Sequence, residues 1–282
     1  MRTSGILMPV FSLPSKYGIG CFSKEAYQFV DFLKESGQKS WQVLPLGQTS
    51  YGDSPYQSFS SFAGNPYFID LEQLVEQQLL TKAECDSFDF GKNPESIDYA
   101  KLYQNRYKIL RMACDRFLKQ PSDDFFAFCQ ENDWWLGNYA LFMVIKNMHK
   151  GASWLQWEEK YKRRDFAALD QVWHGQHDEI QFYQFQQYLF FCQWKKLHAY
   201  AAQAGIQIIG DIPIYVALDS ADAWAEPQLF QFDEELNPVA EWRDVHPIVS
   251  PRPDSYGAIR CTAGSIIARP VMRGGFGESH SV

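Results

Sequence analysis

The order of apolar and polar residues along the first part of the chain predicts a strand, a helix and a second strand. The segment GILMPVFSLPS is strand-like and ends at Pro14, and the alternation in Ser40–Leu46 predicts another strand. Between them, residues 23–37 carry apolar side chains at helical spacing, from a capping serine to a terminating glycine. A strand, helix and strand at this spacing are typical of an α/β fold with parallel strands.

A long polar loop follows the second predicted strand. The segment GQTSYGDSPYQSFSSFAGNPYFID is rich in Gly, Ser, Pro, Asn and aromatic residues and has no helical period. Loops of this length in a compact domain are more often functional than decorative. Because the loop follows a strand at its carboxyl end, where α/β barrels place their active sites, residues 1–70 are predicted to be barrel strands with a substrate loop.

The middle of the chain, residues 71–204, is predicted to be mostly helical. Segments such as YAKLYQNRYKILRMACDRFL repeat apolar residues at helical spacing, and DEIQFYQFQQYLFFCQWKKLHAYAAQAG predicts one long amphipathic helix that ends at Gly205. The aromatic residues of this helix are expected to face the core. This much helix between two strands exceeds one crossover, so we expect a helical insertion subdomain.

The segment IQIIGDIPIYV has the composition of a buried strand and begins the predicted barrel segment 205–241. Asp211 lies near the carboxyl end of this strand. A carboxylate there needs hydrogen-bond partners, because burying it without them is costly. Asp211 is therefore either a site residue or an acid that holds a loop amide, and the spacing does not decide between these two roles.

Composition and charge exclude several classes of function. The net charge is −8, and no basic patch is present that could bind nucleic-acid phosphates, so nucleic-acid binding is not expected. The chain has no signal-like apolar region near its start and no apolar run of transmembrane length, so no membrane partner and a cytoplasmic location are expected. Aromatic residues make up 16% of the chain, and most of them are expected in the core, with a few available to stack on sugar rings.

No metal or organic cofactor is expected. The six cysteines are scattered without a C-x-x-C pair, which predicts reduced thiols rather than a disulfide framework or a zinc site; they are Cys21, Cys85, Cys114, Cys129, Cys192 and Cys261. His174 and His177 have weak ligand spacing and no matching acid–histidine pattern, so they are expected to be polar loop residues. No phosphate-binding glycine loop is present.

Two long segments resemble one family. The string from GILMPVFSLPSKYGIG to DSPYQSFSSFAGNPYFIDL is similar throughout to the amylomaltases, and GDIPIYVALDSADAWAEPQLFQFD resembles that family's next recognisable block. The resemblance implies an α/β fold, here an incomplete (β/α)8 TIM-type barrel with a mostly helical insertion. It implies transfer of α-1,4-glucan segments between maltooligosaccharides by a retaining mechanism that uses an Asp nucleophile and a Glu acid/base.

The resemblance also implies substrate-binding residues. Ser54 and Tyr56 are expected to line the site, with Tyr56 stacking on a sugar near the cleavage point. Tyr51 matches a family position associated with glucan binding outside the active site, and Asp211 matches an acid beside the cleavage subsite. Structural loop roles are at least as well supported as substrate contact for four further residues, Asp53, Asn65, Asp219 and Trp224.

The resemblance stops near Ala240. Residues 242–282 contain five Arg and no Lys, and apart from Trp242 their only aromatics are Tyr256 and Phe276. When Trp242 to Cys261 are back-translated with permitted codons and read two nucleotides out of frame, they give AGCPSDCFSPAGQLWGNPL, close to the family's continuation. We therefore hypothesise a frameshift near codon 241 and an aberrant, disordered tail. The family's nucleophile and acid/base lie beyond this point, so no catalytic residue is assigned.

Three functional hypotheses remain open on the sequence. The chain is an enzyme of this family that is truncated and inactive alone, a non-catalytic maltooligosaccharide-binding fragment, or a helical interaction protein built from residues 71–204. An incomplete barrel would leave a strand edge and an apolar face exposed, so the isolated chain is expected to be poorly soluble. The sequence does not indicate an oligomeric state.

Overall fold

The computed structural model describes residues 3–49, 54–91, 93, 95–213 and 215–239. Over this part of the chain the structure contains three short strands and ten α-helices. None of the helices in the described ranges has the length and apolar character needed to cross a bilayer. The predicted tail, residues 242–282, lies outside the described residues.

The three strands form one parallel sheet. They are β1 (Gly5–Leu7), β2 (Ser40–Gln42) and β3 (Gln207–Ile209), hydrogen-bonded in the order β1-β2-β3. This confirms the predicted α/β arrangement with parallel strands, although every strand is shorter than its sequence pattern predicts. After β1, Pro9 leads into a short 3-10 turn at Val10–Ser12, because proline has no N–H to offer a neighbouring strand.

The register gives the sheet one buried face and one exposed face. In the middle row Ile6, Trp41 and Ile208 lie side by side, and Trp41 is completely buried. Successive strand residues point to opposite faces, so the next row faces the other way. That row contains Leu7 and Ile209, which are 53% and 42% exposed. Parallel sheets are normally covered on both faces, and the described residues cover only one face of this sheet well.

Helix α1 (Lys24–Glu35) forms where the sequence predicts it. Ser23 stands at the N-cap, and its hydroxyl donates to the Glu25 carboxylate over 2.6 Å. The apolar face of α1 is fully buried through Ala26, Val30 and Leu33. The helix ends before Gly37, whose φ of +74° lies in the left-handed region that favours glycine after a helix.

The stretch after residue 70 is helix-rich, as its periodicity predicts. The remaining helices are α2 (Leu71–Glu76), α3 (Lys82–Ser87), α4 (Tyr99–Phe117), α5 (Asp123–Glu131), α6 (Asp133–Met148), α7 (Glu159–Lys162), α8 (Phe166–Gly175), α9 (His177–Gln203) and α10 (Ala221–Ala225). The long helix α9 ends before Gly205, which has a φ of +77°, as the sequence predicts.

The described residues fall into two compact units. The first unit contains Met1–Tyr56, Gly64–Glu131 and Gln181–Ile212, and the second contains Gln57–Ala63, Asn132–Ile180 and the described residues from Pro213 onward. This division differs from the predicted domains 1–70, 71–204 and 205–241. The reason is that α4, α5 and most of α9 pack with the strands, whereas α6, α7 and α8 belong to the second unit.

The first unit has a single apolar core that joins its sheet to its helices. Trp41 of β2, Leu110 of α4 and Phe185 of α9 are all completely buried in it. The guanidinium of Arg106, also buried, donates to the carbonyl of Tyr67 over 3.0 Å and to the carbonyl of Ile69. A buried charge requires such partners, so Arg106 ties α4 to the segment that precedes α2.

Candidate functional site

The candidate site lies at the carboxyl ends of β2 and β3. These strands are parallel neighbours, so their carboxyl ends lie at the same edge of the sheet. The long loop leaves β2 through Gly47, and Asp211 follows β3 directly after Gly210. In parallel α/β sheets this edge is where ligands bind, because loops from neighbouring strands meet there. The topology thus brings the predicted loop and the predicted acid to one place.

Tyr56 and Asp211 are in direct contact. The Tyr56 hydroxyl donates to Oδ2 of Asp211 over 2.8 Å, although the two residues are 155 positions apart in sequence. The other carboxylate oxygen, Oδ1, accepts from the backbone N–H of Ile212 over 2.9 Å. Asp211 therefore holds a loop amide, which is one of the two roles that the sequence left open, and its role as a site residue stays a prediction.

This hydrogen bond acts on the Tyr56 hydroxyl. It raises the pKa of Tyr56 above its ordinary value, because the Asp211 carboxylate stabilises the protonated phenol. The Tyr56 side chain remains 45% exposed, which leaves much of the ring accessible to a ligand. The pair therefore presents an aromatic surface, a hydroxyl and a carboxylate together at the strand ends.

Ser54 is close to Tyr56 in the same loop. Its Oγ accepts from the backbone N–H of Tyr56 over 3.3 Å, in a short turn of the kind that serine residues favour. Ser54 is half-buried. The structure therefore brings Ser54, Tyr56 and Asp211 together, as the sequence predicts. The other two residues discussed in this loop, Tyr51 and Asp53, lie outside the described residues.

Asn65 has a structural role at the end of the loop. Its Oδ1 accepts from the backbone N–H of Tyr67 over 2.9 Å and caps the 3-10 turn Pro66–Phe68. Its own N–H donates to the carbonyl of Leu46 over 2.8 Å. The side chain is only 2% exposed, which leaves little of it for a ligand.

In the second unit, Asp219 and Trp224 also have structural contacts. Oδ2 of Asp219 accepts from the buried ammonium of Lys146 over 2.6 Å, and Oδ1 accepts from the backbone N–H of Trp154. Trp224 is completely buried, and its indole N–H donates to the carbonyl of Tyr161 over 2.9 Å. The structural alternative stated for these two residues agrees with these contacts.

Sequence reasoning did not identify Asp222, a carboxyl group of the second unit with a changed acidity. Its Oδ2 accepts from the backbone N–H of Ser61 over 2.7 Å, and removal from water raises its pKa to about 6. A signal existed in the sequence, since Ser220 is an N-cap and Asp222 falls in the first turn of α10. The cap could be read from the sequence, but the contact of the acid with the backbone of Ser61, 161 positions away, could not.

Metal and thiol chemistry find little support in the described part of the chain. Over these residues, no group of three or more His, Cys, Asp and Glu side chains is placed to hold a metal ion. His174 lies 3.3 Å from Asp170 one helical turn earlier, with both side chains largely exposed. Cys21 is buried, which raises the pKa of its thiol to about 12 and leaves it unreactive at neutral pH.

Comparison with known proteins identifies similar sequences over most of the chain. A family model described as "4-alpha-glucanotransferase" matches residues 8–257. This match continues past residue 241, where the sequence is expected to leave the family pattern. The 4-alpha-glucanotransferase of Clostridium butyricum is 46% identical over 233 residues, which are 82% of this chain and 48% of that protein.

Two further comparisons agree. The 4-alpha-glucanotransferase of Streptococcus pneumoniae serotype 4 is 48% identical over 234 residues, covering 82% of this chain and 46% of that protein. The solved structure of amylomaltase from Streptococcus agalactiae in complex with acarbose superposes with a TM-score of 0.82 at 42% identity, over 84% of this chain and 48% of that one. The chain therefore spans about half the length of the curated relatives it matches.

Proposed function

Because the chain belongs to the 4-alpha-glucanotransferase family, we propose that it takes part in the transfer of α-1,4-glucan segments between maltooligosaccharides. The observation that carries this proposal is the 2.8 Å hydrogen bond between Tyr56 and Asp211 at the carboxyl edge of the sheet. The two residues together present an exposed aromatic ring, a hydroxyl and a carboxylate. A sugar ring can stack on the aromatic ring and form hydrogen bonds with the polar groups.

Each member of this pair has a defined part in glucan binding. The C–H face of a glucose ring packs against an aromatic ring, and Tyr56 offers one that is 45% exposed. The Asp211 carboxylate accepts hydrogen bonds from sugar hydroxyls, and such charge-assisted bonds are stronger than neutral ones. Ser54 fixes the turn that presents Tyr56 and adds a hydroxyl beside it. Tyr51, which lies outside the described residues, is proposed to bind glucan outside the active site, as the family resemblance implies.

The reaction is a retaining double displacement. Such a reaction uses two carboxyl groups about 5–5.5 Å apart, one as nucleophile and the other as acid and base, and forms a covalent glycosyl intermediate. Transfer instead of hydrolysis then requires that a sugar hydroxyl reach the intermediate before water does. The Tyr56–Asp211 pair serves this step by holding glucan and displacing water. The nucleophile and acid/base are assigned to no residue of this chain.

On this proposal the three parallel strands are part of a (β/α)8 barrel. Three observations support this arrangement. The strands are parallel, the row with Leu7 and Ile209 is exposed, and the chain spans about half the length of each relative. Eight strands are needed to close such a barrel. The chain by itself then binds maltooligosaccharides without transferring glucan segments, because the carboxylates that perform the chemistry belong to the rest of the barrel.

Two measurements on the purified chain test this function. Calorimetry with maltotetraose is expected to show saturable binding, and incubation with maltotriose is expected to release no glucose and to form no longer oligomers. Release of glucose with growth of longer oligomers would contradict the assignment of catalysis to residues outside the chain. Absence of binding at millimolar maltotetraose would overturn the proposed function itself.

A further inference from the structure

A buried glutamine of α9 holds Gly64 of the loop that carries Ser54 and Tyr56. Oε1 of Gln187 accepts from the backbone N–H of Gly64 over 2.8 Å, and Nε2 of the same side chain donates to the Gly64 carbonyl over 3.0 Å. Gln187 is completely buried. A glutamine amide has both a donor and an acceptor, so this one side chain satisfies both backbone groups of a single residue.

Gly64 ends the part of the loop that carries Ser54 and Tyr56, residues 47–64. It forms an isolated antiparallel bridge with Gly47, so the two ends of this part are paired with each other. It also lies so close to α9 that a Cβ atom built on it would be 2.3 Å from the ring of Phe190. The absence of a side chain at position 64 lets the backbone reach both Gln187 and the Phe190 ring.

Helix α9 is also connected along the chain to Asp211, the partner of Tyr56. The helix ends at Gln203, turns at Gly205 and continues into β3, and Asp211 follows two residues after that strand. One helix thus contacts Gly64 through Gln187 and leads into the strand that precedes Asp211.

We infer that Gln187 is a positioning residue, which holds the loop end so that Tyr56 meets Asp211. It touches neither member of the pair and acts through Gly64. The expected change in sugar affinity on replacing Gln187 rests on the proposed glucan-binding function. The expected change in the position of Tyr56 relative to Asp211 does not rest on it.

A matched control is present on the same helix. Gln193 is also buried, and its amide makes the same pair of bonds with the backbone of Asp70, which are 2.7 Å from the N–H and 3.2 Å to the carbonyl. Asp70 is the N-cap of α2 and lies six residues beyond the Gly47–Gly64 bridge. Replacing Gln193 therefore removes the same chemistry from the same helix while the bonds between Gln187 and Gly64 stay in place.

The test compares Gln187→Leu with Gln193→Leu. The protein is labelled with 13C-tyrosine, and the Cζ signal of Tyr56 is followed against pH by NMR. This signal is identified among those of the 15 tyrosines because it is absent from Tyr56→Phe. Gln187→Leu is expected to lower the pKa of Tyr56 towards its ordinary value of 10.0, because the bond to Asp211 weakens. Maltotetraose affinity should fall on the order of tenfold. Gln193→Leu should lose comparable stability and leave both readouts unchanged.

Each outcome has a defined meaning. A Tyr56 titration that is identical in Gln187→Leu and the unsubstituted protein overturns the inference, as does an equal change in Gln193→Leu. If the unsubstituted protein binds no maltotetraose, the proposed function fails, while the Tyr56 titration still decides the role of Gln187. If Gln187→Leu does not fold, Gln187→Glu replaces it, since that variant keeps the acceptor for the Gly64 N–H and loses the donor to its carbonyl.

Discussion

The Tyr56 hydroxyl donates a 2.8 Å hydrogen bond to the Asp211 carboxylate at the point where the loop after β2 meets the end of β3. A second pair has the same chemistry elsewhere in the first unit, where the Tyr200 hydroxyl donates to Oδ1 of Asp31 over 2.7 Å. In both pairs the carboxylate raises the pKa of the tyrosine. The two pairs differ in their position relative to the carboxyl edge of the sheet, which makes the Tyr200 pair a natural control.

Removing the Tyr56 hydroxyl should weaken glucan binding. Tyr56→Phe keeps the ring but loses the hydrogen bond to Asp211 and the hydroxyl that a sugar could contact. We expect the dissociation constant for maltotetraose to rise about 2- to 10-fold, measured by calorimetry. Tyr200→Phe removes the matching bond to Asp31 and should leave the affinity unchanged. An equal loss of affinity in both variants would show that the Tyr56 hydroxyl has no specific part in binding.

Asp222 should make stability depend on pH. Its pKa is raised from 3.8 to about 6, so between these values the folded chain holds more protons than the unfolded chain. Stability therefore falls as the pH rises through this window, and above it the loss caused by Asp222 is complete and no longer changes with pH. Asp222→Asn remains uncharged, and its side-chain oxygen can still accept from Ser61. We expect the variant to show a smaller loss of melting temperature between about pH 4 and about pH 7. An unchanged loss would contradict the burial of this carboxyl.

The exposed row of the sheet should bind hydrophobic dye. Leu7 and Ile209 are 53% and 42% exposed and lie in register on the uncovered face. The double variant Leu7→Ser, Ile209→Ser should bind less anilinonaphthalene sulfonate and aggregate less, with a change in stability within about 0.5 kcal/mol per substitution. Phe166→Ser, at an 84% exposed position on α8, is the control and should leave dye binding nearly unchanged. Equal dye binding by the double variant and the unsubstituted chain would show that this face is covered.

Sequencing of the DNA should reveal a change of one nucleotide near codon 241. Out of frame, residues 242–261 can encode GQLWGNPL in the order that the family resemblance leads one to expect. The family match extends to residue 257, so the frameshift hypothesis and the match differ over residues 242–257. Reading codons 235–260 decides whether the shift arose in the sequencing, because an unchanged read would leave only a shift in the gene itself.

The sequence predicts elements well where local signals are complete. Helix α1 begins after Ser23, buries an apolar face and ends before Gly37, as the sequence predicts, although the Ser23 hydroxyl bonds to the Glu25 carboxylate and caps no backbone N–H. The strand lengths were overestimated because the apolar runs of β1 and β3 continue beyond the residues that find a neighbour in the sheet. Strand length depends on pairing between distant segments, and a single segment does not contain that information.

The site shows the same limit. The family resemblance places Tyr56 and Asp211 in one site, and the parallel pairing of β2 and β3 explains why they can approach each other. The contact of Gln187 with Gly64 could not be predicted, because a polar residue on α9 does not indicate which distant segment it meets. The pattern of α9 likewise shows that one face is buried but not which segment covers it.

The most direct test of the account is a titration of the 13C-tyrosine-labelled chain with maltotetraose, followed by NMR. The account predicts that the Tyr56 signal shifts saturably with the same dissociation constant that calorimetry gives, while the Tyr200 signal stays in place. Saturable binding that leaves Tyr56 unshifted would place the glucan elsewhere and contradict the assignment of this pair to the site.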